Sequence, residues 1–115
     1  MSFANWDDVV AFAQTLPDVY LENFYGKPAP KVNKKAFVTP GSEPGSFVAM
    51  STNEEKSVLL ETDPDTFWQT PHYDGWSSLL VRYGSTDTDR IAAVITRAWW
   101  DRASAAQRKA FGDRP

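Results

Sequence analysis

In NWDDVVAFAQTLP the apolar positions Trp6, Val9, Val10, Ala13 and Leu16 recur at the spacing of one helix face. Asn5 stands where it can cap the first turn, and Asp7 and Asp8 favour the positive end of the helix dipole. The pattern predicts a helix over 6–15. Pro17 disfavours helical angles at Leu16, so the chain leaves the helix there and enters the extended run VYLENFY, 19–25. GKPAP reads as a breaker cluster. KVNKKAFVT reads as two short extended pieces around Asn33-Lys34, because Asn tolerates the left-handed angles of a tight turn. PGSEPGS, 40–46, is a loop whose flanks AFVT and FVAMS are expected to pair as antiparallel strands, giving a wing-like hairpin.

In the second half, Thr52 with Glu55 matches a capping box, and Asp63-Pro64 sets a cap residue before a proline, which predicts two short helices in succession. After a turn at Asp74-Gly75 the run WSSLLVRY alternates, with Ser77, Leu79, Val81 and Tyr83 on one face and Trp76, Ser78, Leu80 and Arg82 on the other. Both faces hold apolar residues, so this strand is expected inside a sheet. Thr86 and Asp89 open the strongest periodic segment, where Ile91, Val94, Ile95, Ala98 and Trp99 form one stripe fit to cover the sheet. Trp100 lies off that stripe and is expected to meet Phe111 on a final short helix, which Ser104 and Gln107 cap and Gly112 ends. These elements predict a single domain over 1–115 of the α+β class: a two-layer sandwich with an antiparallel sheet of about five strands, in the order α-β-β-β-α-β-α.

Composition narrows the chemistry. The 115 residues include five Trp, four Tyr and seven Phe, enough large side chains to hold a core without covalent staples. The absence of Cys excludes disulfides and thiol catalysis, and a lone His72 cannot assemble a Cys/His zinc site. Glu54, Glu55, Glu61, Asp63 and Asp65 are accounted for by capping and helix solvation, so neither metal nor cofactor is expected. Asp7 and Asp8 stand where a secretory signal would carry basic residues, and no run approaches the length of a membrane span, so the chain reads as cytoplasmic. A net charge of -3 supplies no global attraction to nucleic acid.

Two local features remain candidates. PHYDGW, 71–76, places His72 near Asp74, the pairing that could hold an imidazole as a general base; the structural alternative is a tight Asp74-Gly75 turn anchored by a buried Trp76 with His72 on its rim. From Gly26 to Pro40 the chain carries Lys27, Lys31, Lys34 and Lys35 and no acid, a hairpin that could neutralise phosphates, with Arg82 joining and Phe24 or Tyr25 stacking on unpaired bases.

The wording LPDVYLE at 16–22, KVNKKAFV at 31–38 and YDGWSSLLV at 73–81 resembles the MmcQ/YjbR family of small bacterial proteins. Leu16, Pro17, Val19, Lys35, Phe37, Gly75 and Trp76 fall at the matching points. Asp18 stands where that family commonly has Gly, and Asn33-Lys34 where it commonly has a Gly-rich turn. The resemblance implies a two-layer α+β domain akin to secretion-chaperone and double-wing architectures, and a DNA-binding label. The expectation is a non-enzymatic domain that binds DNA weakly, and in a salt-sensitive way, through Lys27, Lys31, Lys34, Lys35 and Arg82. The alternative is an adaptor for a protein or peptide using an exposed aromatic patch that includes Trp68 or Trp100, and third stands an enzyme with His72 in a pocket.

Overall fold

A computed structural model describes all residues from Met1 to Pro115. The first half contains α1 (Trp6–Ala13), β1 (Tyr20–Phe24), β2 (Lys27–Val32), β3 (Lys35–Ala36), β4 (Val38–Pro40) and β5 (Ser46–Met50). The second contains α2 (Asn53–Thr62), β6 (Phe67–Trp68), a 3-10 turn (Pro71–Tyr73), β7 (Ser78–Arg82), α3 (Thr88–Arg102) and α4 (Ala105–Phe111). All strand pairs are antiparallel, in one sheet of order β1-β2-β3 and a second of order β4-β5-β7-β6. The α+β class thus stands as the sequence implies, and the strands number seven because 27–40 divides into three and Phe67–Trp68 adds another.

The larger sheet has two distinct apolar faces. Paired residues share a face, so Val38, Ala49 and Leu79 align on one side together with Phe47, Val81 and Phe67. That side joins the stripe of α3, where Ile91, Val94, Ile95, Ala98 and Trp99 are buried, and the buried face of α1. Trp99 is fully enclosed, with its indole N–H donating to the Pro17 carbonyl at 3.0 Å. On the other side Thr39, Val48, Leu80 and Trp68 align, flanked by Met50 opposite Ser78 and Ser46 opposite Arg82. Val48 and Leu80 lie outside the central core, yet both are buried.

Three segments depart from the sequence reading. GKPAP is not a breaker: Tyr25 and Gly26 make a two-residue turn and KPAPKV continues as β2. Pro28 and Pro30 face Asn23 and Leu21, the pairs that alternate with hydrogen-bonded ones, so their missing N–H groups leave the β1 ladder intact. The second helix expected after Asp63 is one turn, in which Thr66 and Phe67 both donate to the Asp63 carbonyl; the chain is then drawn extended because Phe67 pairs with Val81 and its ring is fully buried. Trp76 is not a buried anchor. The Asp74-Gly75 turn forms, with Gly75 at φ +82, but it releases Trp76 before the strand begins and the indole is 58% exposed.

Positive φ occurs at Asp18 (60), Asn33 (52) and Lys34 (66), the places where the resemblance leads one to expect glycine. Asp and Asn tolerate this region best among non-glycine residues, and both side chains are engaged here. Gln107 donates to Asp18 at 3.0 Å and accepts from Asn33 at 2.8 Å while closing the capping box on Ser104. One amide thus ties α4 to two turns. Gln107→Ala is expected to lower unfolding stability by about 1 to 2 kcal/mol, the value of a cap with its hydrogen bonds, as read by urea denaturation.

A candidate aromatic cleft

The second face of the larger sheet is the floor of a cleft of about 690 Å³. Thr39, Val48, Met50 and Ser78 form the floor. One wall is the tip of the β1–β2 hairpin, with Phe24, Tyr25 and Lys27, and the other is the 3-10 turn and its exit, with His72, Tyr73 and Trp76. The volume lies within the roughly 300–1,000 Å³ of small-ligand sites.

The two walls are held by different devices. At the hairpin tip Phe24 and Tyr25 meet edge to face at 4.8 Å, and Tyr25 takes φ +49 with 92% of its surface exposed. A bulky residue with left-handed backbone is an outlier, and this one recovers nothing through burial. On the opposite wall His72 lies nearly parallel to Trp76, 23° between planes and 5.8 Å between centroids, and stands edge-on to Tyr73 at 5.0 Å. Behind this wall Lys56, buried on α2, donates from Nζ to the carbonyls of Tyr73 (2.7 Å) and Trp76 (2.8 Å). Burial holds its ammonium below the usual lysine range, an effect that the nearby Asp74 charge partly offsets. A lysine in NEEKSV has the look of an ordinary solvated helix position, so nothing local in the sequence marks Lys56 as buried.

The candidate residues do not form one patch. Lys27 stands at the cleft, but Lys31 is tied to Glu22 at 2.6 Å. At roughly 3.3 Å per residue, β2 carries the chain roughly 17 Å from Lys27 before the turn bearing Lys34. Ala36 lines the cleft, so its neighbour Lys35 points to the opposite side of β3. Arg82 lies on the other sheet, stacked 4.5 Å above the Trp68 ring, whose N–H donates to Ser46 at 2.9 Å. Trp68 is therefore partly covered, and Trp100 packs against Phe111 (6.0 Å) and under Arg108 (5.6 Å). The exposed patch that an adaptor would use does not form at either of these tryptophans. The exposed indole is Trp76, on the rim of the cleft. His72 and Asp74 do not meet as an acid–base pair: the imidazole stacks on Trp76 while Asp74 faces Lys56. No group of three His, Asp or Glu side chains is placed to hold a metal ion.

Tyr25→Asn is expected to raise unfolding stability by about 1 kcal/mol, since Asn adopts this backbone more readily and little burial is lost. Lys56→Met leaves two carbonyls without a donor and should cost about 1 to 2 kcal/mol, with faster amide exchange over residues 70–77. The pH dependence follows the same lysine. Its folded pKa lies below the unfolded value of 10.5, so between the two the unfolded chain binds more protons and stability rises with pH. Tyr83 acts oppositely: burial pushes its hydroxyl up to about 12, so the folded chain binds more protons above pH 10 and stability falls. Urea titrations below pH 10 should show the rise in the native sequence and its loss in Lys56→Met.

Comparison with known proteins places this arrangement in a context. Uncharacterized proteins of Mycobacterium tuberculosis and Mycobacterium bovis are each 29% identical over 111 residues, covering 84% of this chain and 86% of the relative. No solved structure matches. The family model described as YjbR matches residues 14–100, from the end of α1 to Trp100, a span that includes both cleft walls and Lys56. The chain belongs to the YjbR family.

Proposed function

We propose that this protein is a non-enzymatic binding module, that the aromatic cleft is its recognition surface, and that it binds single-stranded nucleic acid. The observation that carries this reading is a concave site walled by five rings whose only fully charged lining side chain is Lys27. Unpaired bases can stack on Trp76 and Tyr25, each stack being worth about 1 to 3 kcal/mol, while the ammonium meets a phosphate. The rings, more than the lysine hairpin, then carry the contact with the strand. Paired bases cannot enter a cleft of this kind, and the net charge of -3 keeps binding weak. A peptide partner would have to use the same rings, because Trp68 and Trp100 are partly covered.

Oligothymidylate followed by fluorescence anisotropy provides the test. Trp76→Ala should weaken binding roughly tenfold, and Lys34→Glu with Lys35→Glu should change it little. Each phosphate contact on a single strand contributes about -0.7 to the slope of log affinity against log salt, so a slope near -0.7 to -1.4 is expected for one or two contacts. Equal affinity for duplex DNA, or no effect of Trp76→Ala, would refute the reading.

A further inference from the structure

The cleft is larger than one stacked base requires, and its selectivity is written in three features. The first is shape: two ring-bearing walls face each other across an apolar floor of Val48 and Met50, which favours a flat body. The second is charge. Lys27 is the one fully charged side chain on the lining, no carboxylate accompanies it, and it forms no ion pair. The contrast lies elsewhere on the molecule, where the concavity around Arg97 and Arg114 is satisfied internally by Glu55 (2.6 Å) and Asp101 (3.0 Å). The third is preorganisation. Lys56 fixes the Tyr73 and Trp76 carbonyls, so the stacking wall is built before any ligand arrives.

From these we infer that the cleft is a small-molecule site for a free planar aromatic acid of about two fused rings, its anionic group on Lys27 and its ring plane against Trp76. The hydroxyls of Thr39 and Ser78 on the floor supply neutral hydrogen-bond partners for ring substituents. The inference rests on the cleft being the recognition surface, and does not require the natural ligand to be a strand. Tyr25 gains a role here: an exposed ring on a strained turn is positioned to close over a ligand bound between the walls.

The test uses three probes of one shape, 2-naphthoate, 2-naphthalenemethanol and 2-naphthylmethylammonium, titrated by calorimetry with the Trp76 indole resonance followed by NMR. The expected order is anion, then neutral, then cation. Lys27→Met should remove roughly fivefold from the anion alone, and Trp76→Ala should weaken all three. Lys27 is exposed, so its replacement leaves the fold intact, and unchanged backbone resonances check this. Displacement of oligothymidylate by 2-naphthoate separates the two readings. Naphthoate bound with the strand unbound supports this inference and overturns the nucleic-acid reading. The strand bound with naphthoate unbound overturns this inference alone. Neither bound, or the ammonium bound as tightly as the carboxylate, overturns it as well.

Discussion

β7 carries apolar side chains on both of its faces, and that constraint organises the rest of the molecule. Leu79 and Val81 are satisfied by the layer of helices, as in any two-layer domain. Leu80 points the other way and is fully buried, paired with Val48 and Trp68 and outside the cluster that α1 and α3 close. Its face must be covered by whatever the remaining chain can supply, which is a hairpin tip and a turn. Between them Val48, Met50, Thr39 and Ser78 line an opening, and that gap is the cleft. The site is thus a by-product of covering a second hydrophobic face with loops.

Such a cover needs support that a helix would provide through packing. The hairpin wall takes it from the β1–β2 ladder and from Trp6, whose indole N–H donates to the Pro28 carbonyl at 2.8 Å. The turn wall has no ladder and takes its support from Lys56. Burying an ammonium is expensive unless its hydrogens are used, and here the Tyr73 and Trp76 carbonyls take two of the three. The depressed pKa reports the part of that desolvation that remains uncompensated. A bound ring would therefore contact side chains whose backbone is anchored from beneath, which keeps the ordering entropy of binding low.

The sequence disclosed those elements whose cause is local. Asn5, Thr52 and Ser104 cap the helices they precede, and the Asn33-Lys34 turn adopts the left-handed angles that Asn favours. The alternation of WSSLLVRY indicated an interior strand, and β7 lies between β5 and β6. What stayed hidden has a cause distant in the chain. Pro28 and Pro30 look like breakers until the register with β1 shows which N–H groups the ladder needs. Phe67 follows a helix-starting pair but is claimed by Val81. The cleft walls come from the first and second halves of the chain, and no periodicity within either could bring Tyr25 to face Trp76. In PHYDGW the local residues set the turn, through Gly75, but nothing local decides whether an indole two residues before a strand falls inside or outside.

Exposure of the rings separates the demands of folding from those of function. A chain selected for stability alone would place Asn or Gly at the left-handed turn position held by Tyr25, and would bury the indole of Trp76. Here both rings face solvent across the same cleft, and one of them sits on a strained backbone. Departures from local consistency concentrate at working surfaces because elsewhere they bring only a loss. Two such departures on opposite walls of one concavity, with an unpaired Lys27 on the hairpin wall and no carboxylate on the lining, point to one surface. The lysine-rich hairpin has its own left-handed turn at Asn33-Lys34, but there Lys31 is already neutralised by Glu22 and neither Lys34 nor Lys35 lines the cleft.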